Sequence, residues 1–396
     1  MVLQYTTRTA FRCNGPFAER TQSGLSLFPY ATESILLNSL HCTEGRFVVL
    51  SYYFRKPVYS LVWNVLHAIG RTDVCILYCE DAFDAQLFAN VQRFLQPVPI
   101  VAKNRAVQEA LSRQGFKSRI LPAFPDCVIM FRNMAWKFPC GKIIRIGFEH
   151  GAYNFKRFSK AQYYNLFTVF FMTSSHDVRR AERLGVRTAI AVGYPKIDGM
   201  FDGSVTDKHL AALAESAKLD PQKKTLLFSA TWDGSGMSAV HLWYNRITEL
   251  TDRFNVLVTL HPWVSEEFRS ALKTSPGLFF IDDYNVLPYI RLADICIGDT
   301  NSLIAEFCLL KKPTITFRLP PTPRTMPDVI EVIEKISVRI SSFDELLAAI
   351  DEVSARPEVC RKQQEAAIAL FFDTPDGKAG RRAAEKIIQL VPQLAQ

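Results

Sequence analysis

The sequence predicts an α/β chain built as two Rossmann-like domains facing each other across a cleft. Three observations lead there. Short apolar runs alternate with amphipathic, helix-length segments along most of the 396 residues, the pattern of parallel strands covered by helices on both faces. The alternation begins near Arg46, gives way to a polar stretch over 198–222, and then restarts. Strand after strand is followed by a polar cluster, at the end where open α/β sheets bind ligands.

Residues before about 44 carry little pattern beyond a short helix expected over 32–40. From there the spacing predicts strands over 47–50, 74–78, 99–102, 126–130, 143–148, 168–172 and 189–193. Helices are expected between them over 58–69, 82–95, 105–114 and 176–184. Runs such as Val74-Cys75-Ile76-Leu77-Tyr78 lack charge on either face, as buried parallel strands do. The polar stretch, with a helix near 209–217, reads as a connection, dividing the chain into two Rossmann-like domains, 1–200 and 201–396.

The second half repeats the alternation. Strands are expected over 225–228, 256–260, 279–282, 295–298, 314–317 and 336–340, and helices over 239–254, 266–273 and 286–292, with others from 344 and 378. The stretch 293–317, ADICIGDTNSLIAEFCLLKKPTITF, organises this half. Its apolar strand Ile295 to Gly298 runs into Asp299, Thr300, Asn301 and Ser302, all favourable helix N-caps, and Leu303, Phe307 and Leu310 then keep helical spacing until Lys311-Lys312-Pro313 ends the helix. A helix start of this kind offers backbone N–H groups and hydroxyls to a phosphate. Two Rossmann-like units in tandem describe a GT-B architecture, although a doubly wound kinase or a periplasmic-type binding protein gives a similar string.

Composition narrows the class. A net charge of +8 and a pI near 9.0 imply an anionic partner. The basic residues are dispersed and no nucleic-acid signature is present, so nucleic acid is not expected as that partner. The nine cysteines form no CxxC pair, which argues against structural zinc and a disulfide framework. Neither a metal nor a cofactor is expected. No run is long and apolar enough to span a bilayer and the N-terminus lacks the apolar core of a signal peptide, so the expected location is cytoplasmic.

Five polar clusters fall at predicted strand ends: Glu149-His150, Tyr194-Pro195, Thr231 to Ser235, His261, and Asp299 to Ser302. A histidine beside a carboxylate suits a general base, making His150 a candidate against the plainer reading of a hydrogen-bonded histidine at a sheet edge. His261, before Pro262, suits hydrogen bonding to a phosphate. Its plain alternative is a helix-entry residue. Thr231 opens a flexible loop, Thr231-Trp232-Asp233-Gly234-Ser235-Gly236, that could cradle phosphate but lacks a Walker lysine and the GxGxxG spacing. Glu306 could accept hydrogen bonds from a ribose, or be an ordinary solvated helix carboxylate.

In this order the motifs resemble the CDP-glycerol glycerophosphotransferase family of teichoic-acid and capsule synthesis. The residues carrying the resemblance are Glu149-His150-Gly151 with Lys156, Gly193-Tyr194-Pro195-Lys196-Ile197-Asp198, Phe228 to Trp232, Leu260-His261-Pro262, Ala293-Asp294 with Asp299 to Ser302 and Phe307, and Asp376-Gly377-Lys378-Ala379. They run from about residue 140 to the C-terminus. The resemblance implies a GT-B fold, His150 as the base that activates the acceptor, His261 as a diphosphate contact, and Asp299 to Ser302 holding the CDP phosphates. It implies no bound metal, a lipid-linked or polymeric glycan acceptor, and a place at the inner face of the cytoplasmic membrane, where peripheral contact is compatible with the basic charge. The chain departs from the family at Glu149 (for Trp), Ala152-Tyr153 (for Thr-Pro) and Thr300-Asn301 (for Tyr-Ser), and its proline-rich 318–324 loop does not match.

These readings converge on an enzyme, a transferase moving a glycerophosphate or related polyol-phosphate group from a CDP-activated donor to a cell-surface glycan, teichoic-acid or capsule precursor. The alternatives are a GT-B glycosyltransferase or epimerase using a nucleotide sugar, and a noncatalytic nucleotide-binding protein.

Overall fold

A computed structural model describes residues 55–153 and 158–396. The helix and strand expected over 32–40 and 47–50, and Lys156, lie outside the described residues. Residues 55–68 are helical. The first sheet has seven strands: β1 (Asp73–Cys79), β2 (Ile100–Ala102), β3 (Ser118–Ile120), β4 (Pro125–Met130), β5 (Ile144–Phe148), β6 (Val169–Met172) and β7 (Ala189–Ala191). Their order is β3-β2-β1-β4-β5-β6-β7, all parallel. The second sheet has β8 (Thr225–Ala230), β9 (Asn255–Leu260), β10 (Leu278–Phe280), β11 (Ile295–Gly298), β12 (Thr314–Phe317) and β13 (Val338–Ile340). Its order is β10-β9-β8-β11-β12-β13, again parallel. Each sheet therefore reverses direction once, between β1 and β4 and between β8 and β11, and a doubly wound sheet opens its ligand crevice at such a reversal.

Both sheets are buried on both faces, as their unbroken apolar strands require. Cys75, Leu77 and Ile129 pack on one side of the first sheet, Ile76, Tyr78 and Val128 on the other. The last two helices, Arg361–Phe372 and Ala379–Leu390, return to the first sheet, placing Phe371, Phe372, Ala383 and Ile387 in the same core as Leu77 and Phe88. A division at 200/201 thus departs from the packing over these last helices. Asp198 fastens the final helix by accepting from Ala379 N at 3.1 Å and Gly380 N at 2.7 Å. A Cβ on Gly380 would lie 2.3 Å from Asn90 O, so only glycine lets that helix approach so closely.

Several elements differ from the sequence expectation, among them the unanticipated helices Ala161–Tyr164 and Arg361–Phe372. β3 is an added edge strand too short for a period to register. The helix Pro327–Ile336, which has proline in its first turn and buries Val329, Ile333 and Ile336, follows a proline-rich run that reads as loop. The helix expected over 239–254 breaks into Val240–Trp243 and a 3-10 turn at Ile247–Leu250. Its bonds shorten to i→i+3, as in Arg246 N to Trp243 O and Glu249 N to Arg246 O. Asn245, Thr248 and Thr251 are poor helix formers, while Val240, Trp243, Ile247 and Leu250 still reach the core.

Candidate functional site

The C-terminal ends of both sheets open onto one cavity of about 480 Å³, within the usual size of a small-molecule site. His150, Thr231, His261, Thr300, Asn301, Ser302 and Glu306 all line it. The chain brings them there from four strand ends separated by up to about 150 residues: β5 supplies His150, β8 Thr231, β9 His261, and β11 the Thr300 to Ser302 segment.

Asp299 is the exception. It is fully buried and is not among the lining residues. Its carboxylate accepts from Thr231 N at 2.9 Å, Ala239 N at 3.0 Å and Thr300 N at 2.6 Å. A carboxylate would repel a donor phosphate. Asp299 instead ties the loops after β8 and β11 together behind the cavity, so the expectation that it binds phosphate is corrected to a positioning role. The helix that follows, Leu303–Cys308, has only six residues, and Asn301 caps it by accepting from Leu303 N at 3.0 Å. The Thr300 hydroxyl donates to Met237 O at 3.3 Å, so with the N–H groups of Thr300 and Leu303 also taken, Asn301 and Ser302 are what this loop offers the cavity, rather than the end of a long helix dipole.

His150 is exposed to the cavity, and its carbonyl accepts from the Tyr194 hydroxyl at 3.4 Å. The next residue explains the motif. A Cβ on Gly151 would sit 3.0 Å from Ser302 Oγ, so the chain after β5 abuts the chain after β11 only because residue 151 is glycine. Glu149 also lines the cavity. Burial, reinforced by Asp177 and opposed by Arg180, pushes its carboxyl up to about 8. The fold thus favours the neutral acid, a hydrogen-bond donor beside His150. Arg180 holds Asp177 at 2.6 Å and stacks on Tyr153 at 4.8 Å, making a rigid wall behind this segment.

His261 accepts from Trp263 N at its Nδ1, 3.1 Å away. In the neutral ring that tautomer carries its proton on Nε2, which makes His261 a donor suited to a phosphate oxygen. Thr231 is buried at the cavity wall, and its hydroxyl has no hydrogen-bond partner among the described residues. Glu306 is 2% exposed and bound by Lys196 at 2.8 Å, which rules out a solvated carboxylate.

Sequence reasoning singled out Lys196 only as part of a motif, and missed Arg132, Arg269 and Lys273, which also line the cavity. Arg132 follows β4 within two residues, so the strand-end rule that found His150 would have found it. Among the described residues no group of three or more His, Cys, Asp or Glu side chains could hold a metal ion.

Comparison with solved structures shows the GT-B fold. A structure of the wall teichoic acid polymerase TagF aligns with a TM-score of 0.62 at 14% identity, covering 86% of this chain and 98% of that one. UDP-GlcNAc 2-epimerase from Neisseria meningitidis aligns at 0.55 and 14%, covering 80% and 99%. In sequence, the chain is 26% identical over 235 residues to a teichoic acid poly(ribitol-phosphate) polymerase of Bacillus spizizenii, covering 55% of this chain and 37% of that protein. It is 26% identical over 199 residues to the Staphylococcus aureus ribitol-phosphate polymerase TarL, covering 47% and 35%. The match thus spans little more than a third of the length of these relatives. Residues 144–389, more than half of the chain, match the family described as CDP-glycerol:poly(glycerophosphate) glycerophosphotransferase, and the chain belongs to that family.

Proposed function

We propose that the chain transfers a polyol-phosphate group, glycerophosphate or a relative such as ribitol phosphate, from a CDP-activated donor to a glycan or teichoic-acid precursor. The observation that carries this reading is the convergence of His150 from the first sheet with His261, Thr231 and Thr300 to Ser302 from the second in one cavity. The acceptor hydroxyl oxygen forms a bond to the phosphorus bearing the polyol while His150 takes its proton. The bond from that phosphorus to the bridging oxygen breaks, and its electron pair leaves with CMP. His261 and the loop after β11 would hold the diphosphate oxygens, stabilising charge where it develops. The split of roles between an acceptor-binding first half and a donor-binding second half follows the same assignment.

A thermal-shift panel of CDP, CDP-glycerol, CMP, UDP and UDP-sugars tests the donor. A ligand that binds only the folded state raises the melting temperature, by about 2.7 kcal/mol of stabilisation at a hundredfold excess over Kd. Cytidine diphosphates are expected to give the largest shift. A uridine preference would favour the nucleotide-sugar reading, which has the epimerase fold behind it.

A working position at the inner face of the membrane is supported by the helix 55–68. Val58, Leu61 and Val65 form an exposed apolar stripe beside Arg55 and Lys56, a pattern suited to an anionic lipid surface. No described helix is long and apolar enough to cross a membrane. Co-sedimentation with anionic vesicles is expected, and its loss in Leu61→Glu would locate the contact. Sedimentation unchanged by that substitution would refute it.

A further inference from the structure

We propose that Phe83 and Tyr284 form a clamp for the base of the donor nucleotide, one ring supplied by each half of the chain, so that the base bridges the two halves. The inference rests on the nucleotide-donor reading above and adds to it the place of the base. The first half, otherwise assigned to the acceptor, thereby also touches the donor.

The course of the donor along the second sheet points to the place. The groups assigned to the diphosphate leave β11, β8 and β9, which are consecutive neighbours in the order β10-β9-β8-β11-β12-β13. Beyond β9 in that direction lies β10, and the chain leaving it carries Tyr284 onto the cavity wall. Adjacent strands are about 4.8 Å apart, so the exit of β10 is within reach of a base linked through its ribose to a phosphate held at His261.

Facing Tyr284 is Phe83, the first residue of the helix Phe83–Gln92 in the first half. Both rings line the cavity and both are only half-buried. Their centroids are 6.2 Å apart and their planes 28° from parallel. Stacked carbon rings touch at about 3.5–4.0 Å, so the pair is aligned but not in full face contact. A planar base between them needs two such spacings, about 7 Å, roughly an ångström more than the pair now shows.

Each ring is fixed at its root. Phe83 N donates to Asp81 Oδ1 at 3.0 Å, in the turn that starts its helix, and the Lys196 ammonium lies 5.6 Å from the centre of its ring. Tyr284 sits inside a turn in which Asn285 N donates to Asp283 Oδ1 at 2.8 Å. These two aromatic faces stand on a wall that Arg269, Lys273 and Asp282 otherwise line with charge. The flat, uncharged part of a nucleotide is its base, and an aromatic face holds any base by stacking, at about a tenfold to a hundredfold loss in affinity when the ring is removed. A second, nearly parallel ring opposite the first favours a ligand flat on both sides over a puckered saccharide.

The test is calorimetric titration of CDP, UDP and inorganic pyrophosphate into the wild type, Phe83→Leu, Tyr284→Leu and the ring-keeping variants Phe83→Tyr and Tyr284→Phe. The ultraviolet absorbance of the bound base is read in parallel. Each leucine variant is expected to weaken CDP about tenfold or more, while pyrophosphate, which has no base, holds within about twofold. The ring-keeping variants should stay within about threefold of the wild type. Absorbance of CDP should fall on binding to the wild type, as it does when a base is stacked, and fall less in either leucine variant. Stacking does not tell cytosine from uracil, so a proportional loss of UDP supports the clamp even where UDP binds better than CDP, an outcome that corrects the donor alone. If one leucine variant misfolds, which a melting curve shows, its counterpart on the other half reads the same loss. Equal weakening of CDP and pyrophosphate would make the pair a spacer between the halves, and unchanged CDP affinity with a raised KM for the acceptor would make it an acceptor platform. Either result, or leucine variants that bind CDP as the wild type does, overturns the inference. A wild type that binds neither nucleotide removes the donor reading itself, and the inference with it.

Discussion

Replacing His150 with alanine is expected to lower turnover by about 10²-fold or more while leaving the affinity for a cytidine diphosphate donor within about a factor of two. The site separates these two quantities. The imidazole reaches the cavity from the first sheet, whereas the groups assigned to the donor diphosphate come from β8, β9 and β11 of the second. Two contacts of the local backbone do not pass through the imidazole: Tyr194 donates to the His150 carbonyl, and the approach to Ser302 is made through Gly151. Single-turnover transfer and calorimetric titration of CDP read the two effects independently. Undiminished turnover would remove His150 as the base, and weakened CDP binding would reassign it to the donor.

The second large effect is on stability. Lys196, in the 3-10 turn Pro195–Met200 after β7, reaches Glu306 in the helix after β11 with contacts of 2.8 and 3.0 Å. Their side chains are 11% and 2% exposed. Lys196→Met would strand the glutamate's charge in a poorly solvated place, and removing one partner of a buried pair costs about 3–5 kcal/mol. Lys196→Met combined with Glu306→Gln should recover most of that loss, because the stranded charge rather than the missing attraction sets the cost. Urea unfolding of the single and double variants measures the difference. A single variant as stable as the wild type would show that water reaches the carboxylate.

The sequence was most legible where function and local structure coincide. Ile295–Gly298 and Thr314–Phe317 occur as strands over the expected residues, because an apolar run flanked by capping residues and a proline leaves few alternatives. Each strand-end cluster puts at least one residue on the cavity for a similar reason: in a parallel sheet every C-terminal end faces the same way. What stayed hidden depends on partners distant in sequence. Asp299 has the same local signature as Thr300 and Ser302, and only the fold turns its carboxylate inward to Thr231, 68 positions away. Glu306 looks like any helix carboxylate until Lys196, 110 positions away, meets it. Arg132 has the composition of an ordinary solvated strand end, and its place on the cavity beside Asp84 and Trp263 becomes visible only in the fold.

The meeting of Gly151 with Ser302 bears on how wide the cavity floor can be. Gly151 brings no side chain of its own, and the Ser302 hydroxyl fills the gap between the two strand ends so closely that a Cβ at 151 would crowd it. A larger residue at 151 would have to push these strand ends apart, widening the cavity floor between His150 and the loop after β11.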